Sequence, residues 1–157
     1  MLPKLSIDGV VVREIRRHQD RRGWLSELFR QDQLDQEFHP VMSYVSMTHP
    51  GIARGPHEHA DQADLFCFIG PSTFRIYLWD NRLDSKTHQI HDRFEAGEDN
   101  PLMVLVPKGV VHAYKNVGDR EGIVINCPNR LYGGGGRNEP VDEIRYEDDP
   151  DGRFRVD

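Results

Sequence analysis

Cysteine is scarce in this chain: Cys67 and Cys127 are alone among 157 residues, and each stands inside an apolar stretch. So few thiols exclude a disulfide-stapled scaffold, and both are expected buried and reduced. Positive charge is in deficit. Twenty Lys and Arg against 26 Asp and Glu leave a formal charge of −6, which argues against a nucleic-acid protein, whose footprint is a basic face. Long apolar runs are missing as well: none approaches the roughly 20 residues that a membrane helix needs. The stretch MLPKLSIDGVVV lacks the continuous apolar segment and small-residue cleavage site of a signal peptide. A cytoplasmic location, with neither membrane nor nucleic acid as partner, is the expectation. The length suits a single domain over residues 1–157 with enough chain to bury its own core.

Helical periodicity is nearly absent too. The one candidate helix is short, around Gln31 to Phe38, where Leu34 and Phe38 stand four apart. Strand periodicity is abundant. Phe74, Ile76 and Leu78 alternate with Arg75, Tyr77 and Trp79, the period of two expected for a sheet with unlike faces. Val10 to Val12, Tyr44 to Met47, Leu65 to Ile69, Leu102 to Val106 and Ile123 to Ile125 are further β-branched or aromatic runs, bounded by turn-forming Gly, Pro, Asn or Asp. Many short strands at this spacing indicate a β-sandwich or barrel. The aromatic stripe Phe66, Phe68, Phe74 and Trp79 reads as barrel core. Tyr132 opens a run of four glycines that is expected to be a mobile loop, and Phe154 and Val156 are placed to add a final strand.

What the chain does have in quantity is histidine, eight in all. Five of them, His18, His39, His49, His88 and His91, have no informative spacing and read as surface residues. The others fall into two blocks. Gly51-Ile-Ala-Arg-Gly-Pro-His57-Glu-His59 is followed by Asp64 and Gly70, and later comes Pro107-Lys-Gly109-Val-Val-His112-Ala-Tyr-Lys-Asn116. Residues two apart on a strand face one side, so His57 and His59 share a cavity. Asp64 and His112 can join them there. Three imidazoles and a carboxylate suit zinc, iron, manganese or nickel.

The two blocks resemble the paired motifs of the cupin superfamily, with Asp64 where cupins usually carry Glu and Gly70 one residue early. The resemblance implies an all-β jelly roll (a double-stranded β-helix barrel) with the histidines inside its mouth. The rest of the chain is similar to a narrower family, the dTDP-4-dehydrorhamnose 3,5-epimerases. Asp20-Arg21-Arg22-Gly23-Trp24-Leu-Ser-Glu27 resembles that family's Asp-x-Arg-Gly-x-x-x-Glu, and Arg54-Gly55-Pro56-His57 its Arg-Gly-Leu-His. Asp80-Asn-Arg82-Leu-Asp-Ser85-Lys-Thr87 resembles its Asp-x-Arg-x-x-Ser-x-Thr, and Ile144-Arg-Tyr146-Glu-Asp148 stands in place of its Ile-x-Trp-Asn-Asp.

That resemblance implies an isomerase of dTDP-rhamnose-type biosynthesis, acting on a nucleotide-linked 4-keto-6-deoxy sugar. The ketone acidifies the neighbouring C–H bonds, so a base and an acid suffice and no cofactor is needed. His57 matches the base and Asp148 the carboxylate that orients it. Arg22 and Arg54 match diphosphate contacts, Glu27 a nucleotide contact and His112 a contact near the sugar. A homodimer is implied, in which Arg22 and Glu27 complete the partner's site. The chain also departs from the pattern. His59 replaces a Gln, and Asp64 stands where a lysine that supports the keto oxygen is expected, which predicts repulsion of an enolate. Met42 and Tyr44 replace a Gln and an Asn. The donor tyrosine is out of register, leaving Tyr132 as the acid. Two alternatives therefore stand beside the epimerase: a metal-dependent cupin using His57, His59, Asp64 and His112, and a sugar-binding cupin without catalysis.

Overall fold

The computed structural model describes residues 2–149 and 151–157. Its strands are β1 (Val11–Glu14), β2 (His18–Asp20), β3 (Gly23–Leu25), β4 (Tyr44–Thr48), β5 (Ala53–Glu58), β6 (Asp64–Phe68), β7 (Thr73–Asp80), β8 (His91–Gly97), β9 (Leu102–Val106), β10 (Val110–Asn116), β11 (Gly122–Asn126) and β12 (Ile144–Arg145). They form two five-stranded antiparallel sheets, in the orders β1-β9-β6-β11-β4 and β12-β5-β10-β7-β8, with β2 and β3 as a separate hairpin. The architecture is the all-β cupin jelly roll.

Alternation explains the second sheet. Phe74, Ile76 and Leu78 of β7 are buried in the barrel interior, where Phe68 and Tyr114 meet Phe74 with ring centroids 5.7 Å away in each case. Each such buried aromatic contributes about 2–3 kcal/mol of transfer free energy. Trp79 leaves this stripe for the outer face, where it stacks on Tyr77 and touches Phe154. The central strands of the first sheet, β6 and β9, are buried at every position. Their outward residues Leu65, Cys67, Met103 and Leu105 form a second apolar layer with Ile15 and Cys127, covered by Leu28, Leu34 and Phe38. Both cysteines are free and buried.

The expected helix is two separate 3-10 turns, Gln31–Gln33 and Gln36–Phe38. Two apolar residues four apart need only a cap over the outer layer, which single turns provide. Phe154 and Val156 form no strand; the last one is Ile144–Arg145, and Phe154 packs on Tyr146 instead. Within the glycine run, Gly133, Gly134 and Gly136 have positive φ and shape a tight 3-10 turn.

Two of the sequence motifs are scaffolding. Buried Asp80 accepts hydrogen bonds from Arg82 Nε (2.8 Å), Ser85 Oγ (2.5 Å) and Thr87 Oγ1 (2.6 Å), which tie the β7–β8 connection into one network. Buried Asn116 donates to Thr48 O and Arg120 O and accepts from Ser72 Oγ, stapling loops at one end of the barrel.

Candidate active site

His57 and His112 face each other in the register of β5 and β10. Their ring centroids are 4.3 Å apart, and His59, just beyond β5, lies 5.5 Å from His57. The backbone here tolerates no side chain at Gly55: its φ is +80°, and a Cβ would stand 2.6 Å from His112 O and 3.0 Å from His57 Nδ1. The glycine of the Arg-Gly-Pro-His segment therefore lets β10 and the imidazole approach.

Asp64, the first residue of β6, brings a carboxylate from the opposite sheet. His59 Nε2 is 3.0 Å and His112 Nε2 3.2 Å from the same oxygen, Asp64 Oδ2. The other oxygen, Oδ1, accepts from Gln62 Nε2 and Asn126 Nδ2, both at 2.9 Å. The far nitrogens of the two imidazoles are held by main-chain carbonyls: His112 Nδ1 by Val110 O at 3.0 Å, and His59 Nδ1 by Asp142 O. The Asp142 side chain caps the turn after β5, accepting from the backbone N–H groups of Ala60, Asp61 and Gln62.

These contacts set the protonation states. Burial lowers the pKa of His57 most, and the neighbouring His112 and His59 add to it, bringing it to about 2. His57 is thus neutral, with a free lone pair, throughout the physiological range. Burial also opposes charge on Asp64 and His59, but their mutual contact prevails. Asp64, in close contact with His112 and His59, is held far below the usual carboxylate range, and His59 is raised. The close contact thus favours the imidazolium form of His59 and the carboxylate form of Asp64, beside a neutral His57.

A cavity of about 400 Å³ opens over this cluster, lined by His57, His59, Tyr44, Asn129, Tyr132 and Glu143 among others. That size suits a small-molecule ligand. His57, His59 and Asp64 are joined by His112 as expected, with one donor atom of each within 4.8 Å of the others.

The remaining expected site residues lie elsewhere. Asp148 is exposed in the turn after β12, and among the described residues no side chain hydrogen-bonds His57. The carboxylate beside the imidazoles is Asp64. Arg22 pairs with Asp20 in the β2–β3 turn, and Glu27 faces Arg30 on the outer rim. Arg54 bridges the sheets, donating to Thr48 Oγ1 at 2.9 Å and Met47 O at 2.8 Å. Tyr132 lines the cavity but is 56% exposed. Gln62, Asn126 and Asp142 escaped the sequence reading, because polar residues near turns carry no signal of what they face.

Residues 4–148 match the family described as dTDP-4-dehydrorhamnose 3,5-epimerase. The chain belongs to that family. It is 41% identical over 129 residues to a probable low-salt glycan biosynthesis epimerase of Haloferax volcanii, covering 81% of each chain. It is 40% identical over 113 residues to a spore coat polysaccharide biosynthesis protein of Bacillus subtilis, covering 72% of this chain and 74% of that one. Solved structures share the fold. A dTDP sugar isomerase from Desulfovibrio desulfuricans superposes with a TM-score of 0.80 at 23% identity, covering 95% of this chain and 91% of that one. A 3'-monoepimerase from Streptomyces bikiniensis in complex with dTDP-quinovose gives 0.79 at 22% identity, covering 98% and 77%. Epimerisation beside a ketone needs only a base and an acid, because the ketone already acidifies the protons removed.

Proposed function

We propose that the chain epimerises a nucleotide-linked 4-keto-6-deoxy sugar, with His57 as the base. The observation that carries this reading is geometric: the His57 imidazole stands at the cavity wall with no side-chain hydrogen bond among the described residues, beside His59 and His112 gathered on Asp64. His57 takes the proton from the carbon beside the ketone. The electrons move onto the keto oxygen, which the positive charge of His59 at the cavity wall stabilises through space. Repulsion of that enolate by Asp64 is offset by its surroundings: Oδ1 accepts from Gln62 and Asn126, and Oδ2 lies within 3.2 Å of both His59 and His112. Asp64 supplies the positive charge indirectly, by keeping His59 protonated.

The solved relatives bound to dTDP or dTDP-sugars support a nucleotide diphosphate handle on the substrate. Arg54, at the border between the sheets, supplies a guanidinium for the diphosphate. Arg22 and Glu27 stand away from the cavity of their own chain, and in this reading a homodimer brings them to the site of the second copy. The test is His57→Asn. Solvent deuterium incorporation into a nucleoside-diphosphate 4-keto-6-deoxyhexose should vanish while the circular dichroism spectrum is unchanged. Undiminished exchange in that variant overturns the reading.

One observation favours a second reading, a divalent metal held by His57, His59, Asp64 and His112. Backbone carbonyls fix Nδ1 of His59 and His112, and Asp64 Oδ2 and His112 Nε2 have no aligned hydrogen bond despite their approach. This outer-shell pattern is common to metal-binding histidines. Stoichiometric zinc, iron, manganese or nickel after metal-replete expression, lost in Asp64→Ala, would establish it.

A further inference from the structure

We propose that Tyr44, not Tyr132, is the acid that protonates the enolate from the face opposite His57. The inference rests on the epimerase reading above and adds the donor that it lacks.

Inversion at carbon needs a proton removed from one face and returned to the other, so base and acid must come from opposite sides of the bound sugar. His57 stands on β5 of one sheet and Tyr44 on β4 of the other, and both line the same cavity. Tyr44 pairs with Asn126 in the β4–β11 register, and Asn126 is fully buried. The Asn126 amide has a fixed orientation. Its Nδ2 lies 2.9 Å from Asp64 Oδ1, a carboxylate oxygen that only accepts, so the NH₂ group must face that side. The second hydrogen of the same NH₂ goes to the Tyr44 hydroxyl at 2.7 Å. The Tyr44 oxygen is therefore an acceptor in this pair, and its own hydrogen is left for the cavity.

The phenol also stays protonated. Burial, and after it the charge of Asp64, raise its pKa to about 12. A carbon acid beside a ketone is weaker still, so transfer to the enolate carbon remains downhill. In that step the Tyr44 O–H bond breaks, the new C–H bond forms and the C4 carbonyl is restored. The phenolate is then reprotonated by water, and His57 releases its proton to solvent. The Asn126 N–H stabilises the transient phenolate. Tyr132 has none of this support: among the described residues no hydrogen bond holds its hydroxyl, whereas Asn126 fixes that of Tyr44.

The experiment compares Tyr44→Phe and Tyr132→Phe with the wild type on a nucleoside-diphosphate 4-keto-6-deoxyhexose in D₂O. Two readouts are followed by NMR: exchange at the carbons flanking the ketone, and appearance of the inverted sugar. General acids are worth roughly 10²–10⁴-fold. Tyr44→Phe should lose inverted product by about 100-fold or more while retaining exchange through His57, with KM nearly unchanged. Tyr132→Phe should stay within about threefold of the wild type. Normal epimerisation by Tyr44→Phe, or a loss of inversion confined to Tyr132→Phe, would overturn the assignment. Loss of exchange together with inversion in Tyr44→Phe would also overturn it, because a merely structural role moves both. A wild type that neither exchanges nor inverts the sugar would bring down the epimerase reading itself, and this assignment with it.

Discussion

His57 and His112 oppose each other across β5 and β10 with ring centroids 4.3 Å apart. Two imidazoles this close cannot both carry charge cheaply, and the nearby carboxylate is engaged by His59 and His112. The site accordingly sets one neutral imidazole, His57, beside the close His59–Asp64 contact.

Replacing His112 with Gln should raise the pKa of His57 from about 2 while leaving it below the ordinary 6.5, because burial, the larger cause, persists. Histidine side-chain NMR across pH 2–8 measures this directly, using ¹³C- or ¹⁵N-labelled protein. An unchanged His57 titration would show that the neighbouring ring contributes nothing.

Asp64→Asn should cost about 2 kcal/mol of stability near pH 5–6, the scale of a buried charge-assisted hydrogen bond. The sign differs at the two ends. The depressed carboxyl contributes above its unfolded pKa of about 3.9, and the contribution is lost as pH falls below that. The raised His59 contributes fully below about 6.5, and the contribution is lost as pH rises through its folded pKa. Urea titrations of both proteins should therefore show a difference largest between these limits and smaller on either side.

Gly55→Ala should destabilise the fold by at least about 2 kcal/mol, since a left-handed backbone costs about 1–3 kcal/mol for a residue with a side chain. The added methyl would also meet His112 O at 2.6 Å. Thermal unfolding gives the magnitude, and activity per folded molecule should fall further as His57 is displaced.

Asp142→Ala removes three acceptor contacts to the turn at Ala60, Asp61 and Gln62. A stability loss of about 1–2 kcal/mol is expected, with faster hydrogen exchange confined to those amides. Turnover should drop more than binding, because the turn whose main-chain carbonyl at Asp142 orients His59 is no longer pinned.

Much of this arrangement was legible along the chain. Period-two alternation placed Phe74, Ile76 and Leu78 inside and put His57 and His59 on one side, because a strand offers only two faces. The resemblance of Pro107-Lys-Gly109-Val-Val-His112 to a cupin motif placed His112 in the same cluster. Where spacing failed, the cause was direction rather than composition. β12 pairs Arg145 with His57 and leaves Asp148 beyond the strand in an exposed turn. A tail of that composition gives no hint of where pairing will stop. Likewise Arg22 and Glu27 belong to a hairpin and rim that local sequence cannot orient toward any cavity.

Residue type and period sufficed for the sheet-rich fold and the buried thiols, and the resemblance to cupin motifs for gathering three histidines with one aspartate. Tertiary structure alone decided their charges and partners. Asp64 reads in sequence as an acid that would repel an enolate. In the barrel, His59 and His112 share one of its oxygens and Gln62 and Asn126 occupy the other. Protonation depends on distance and burial, and both are set by strands far apart in the chain.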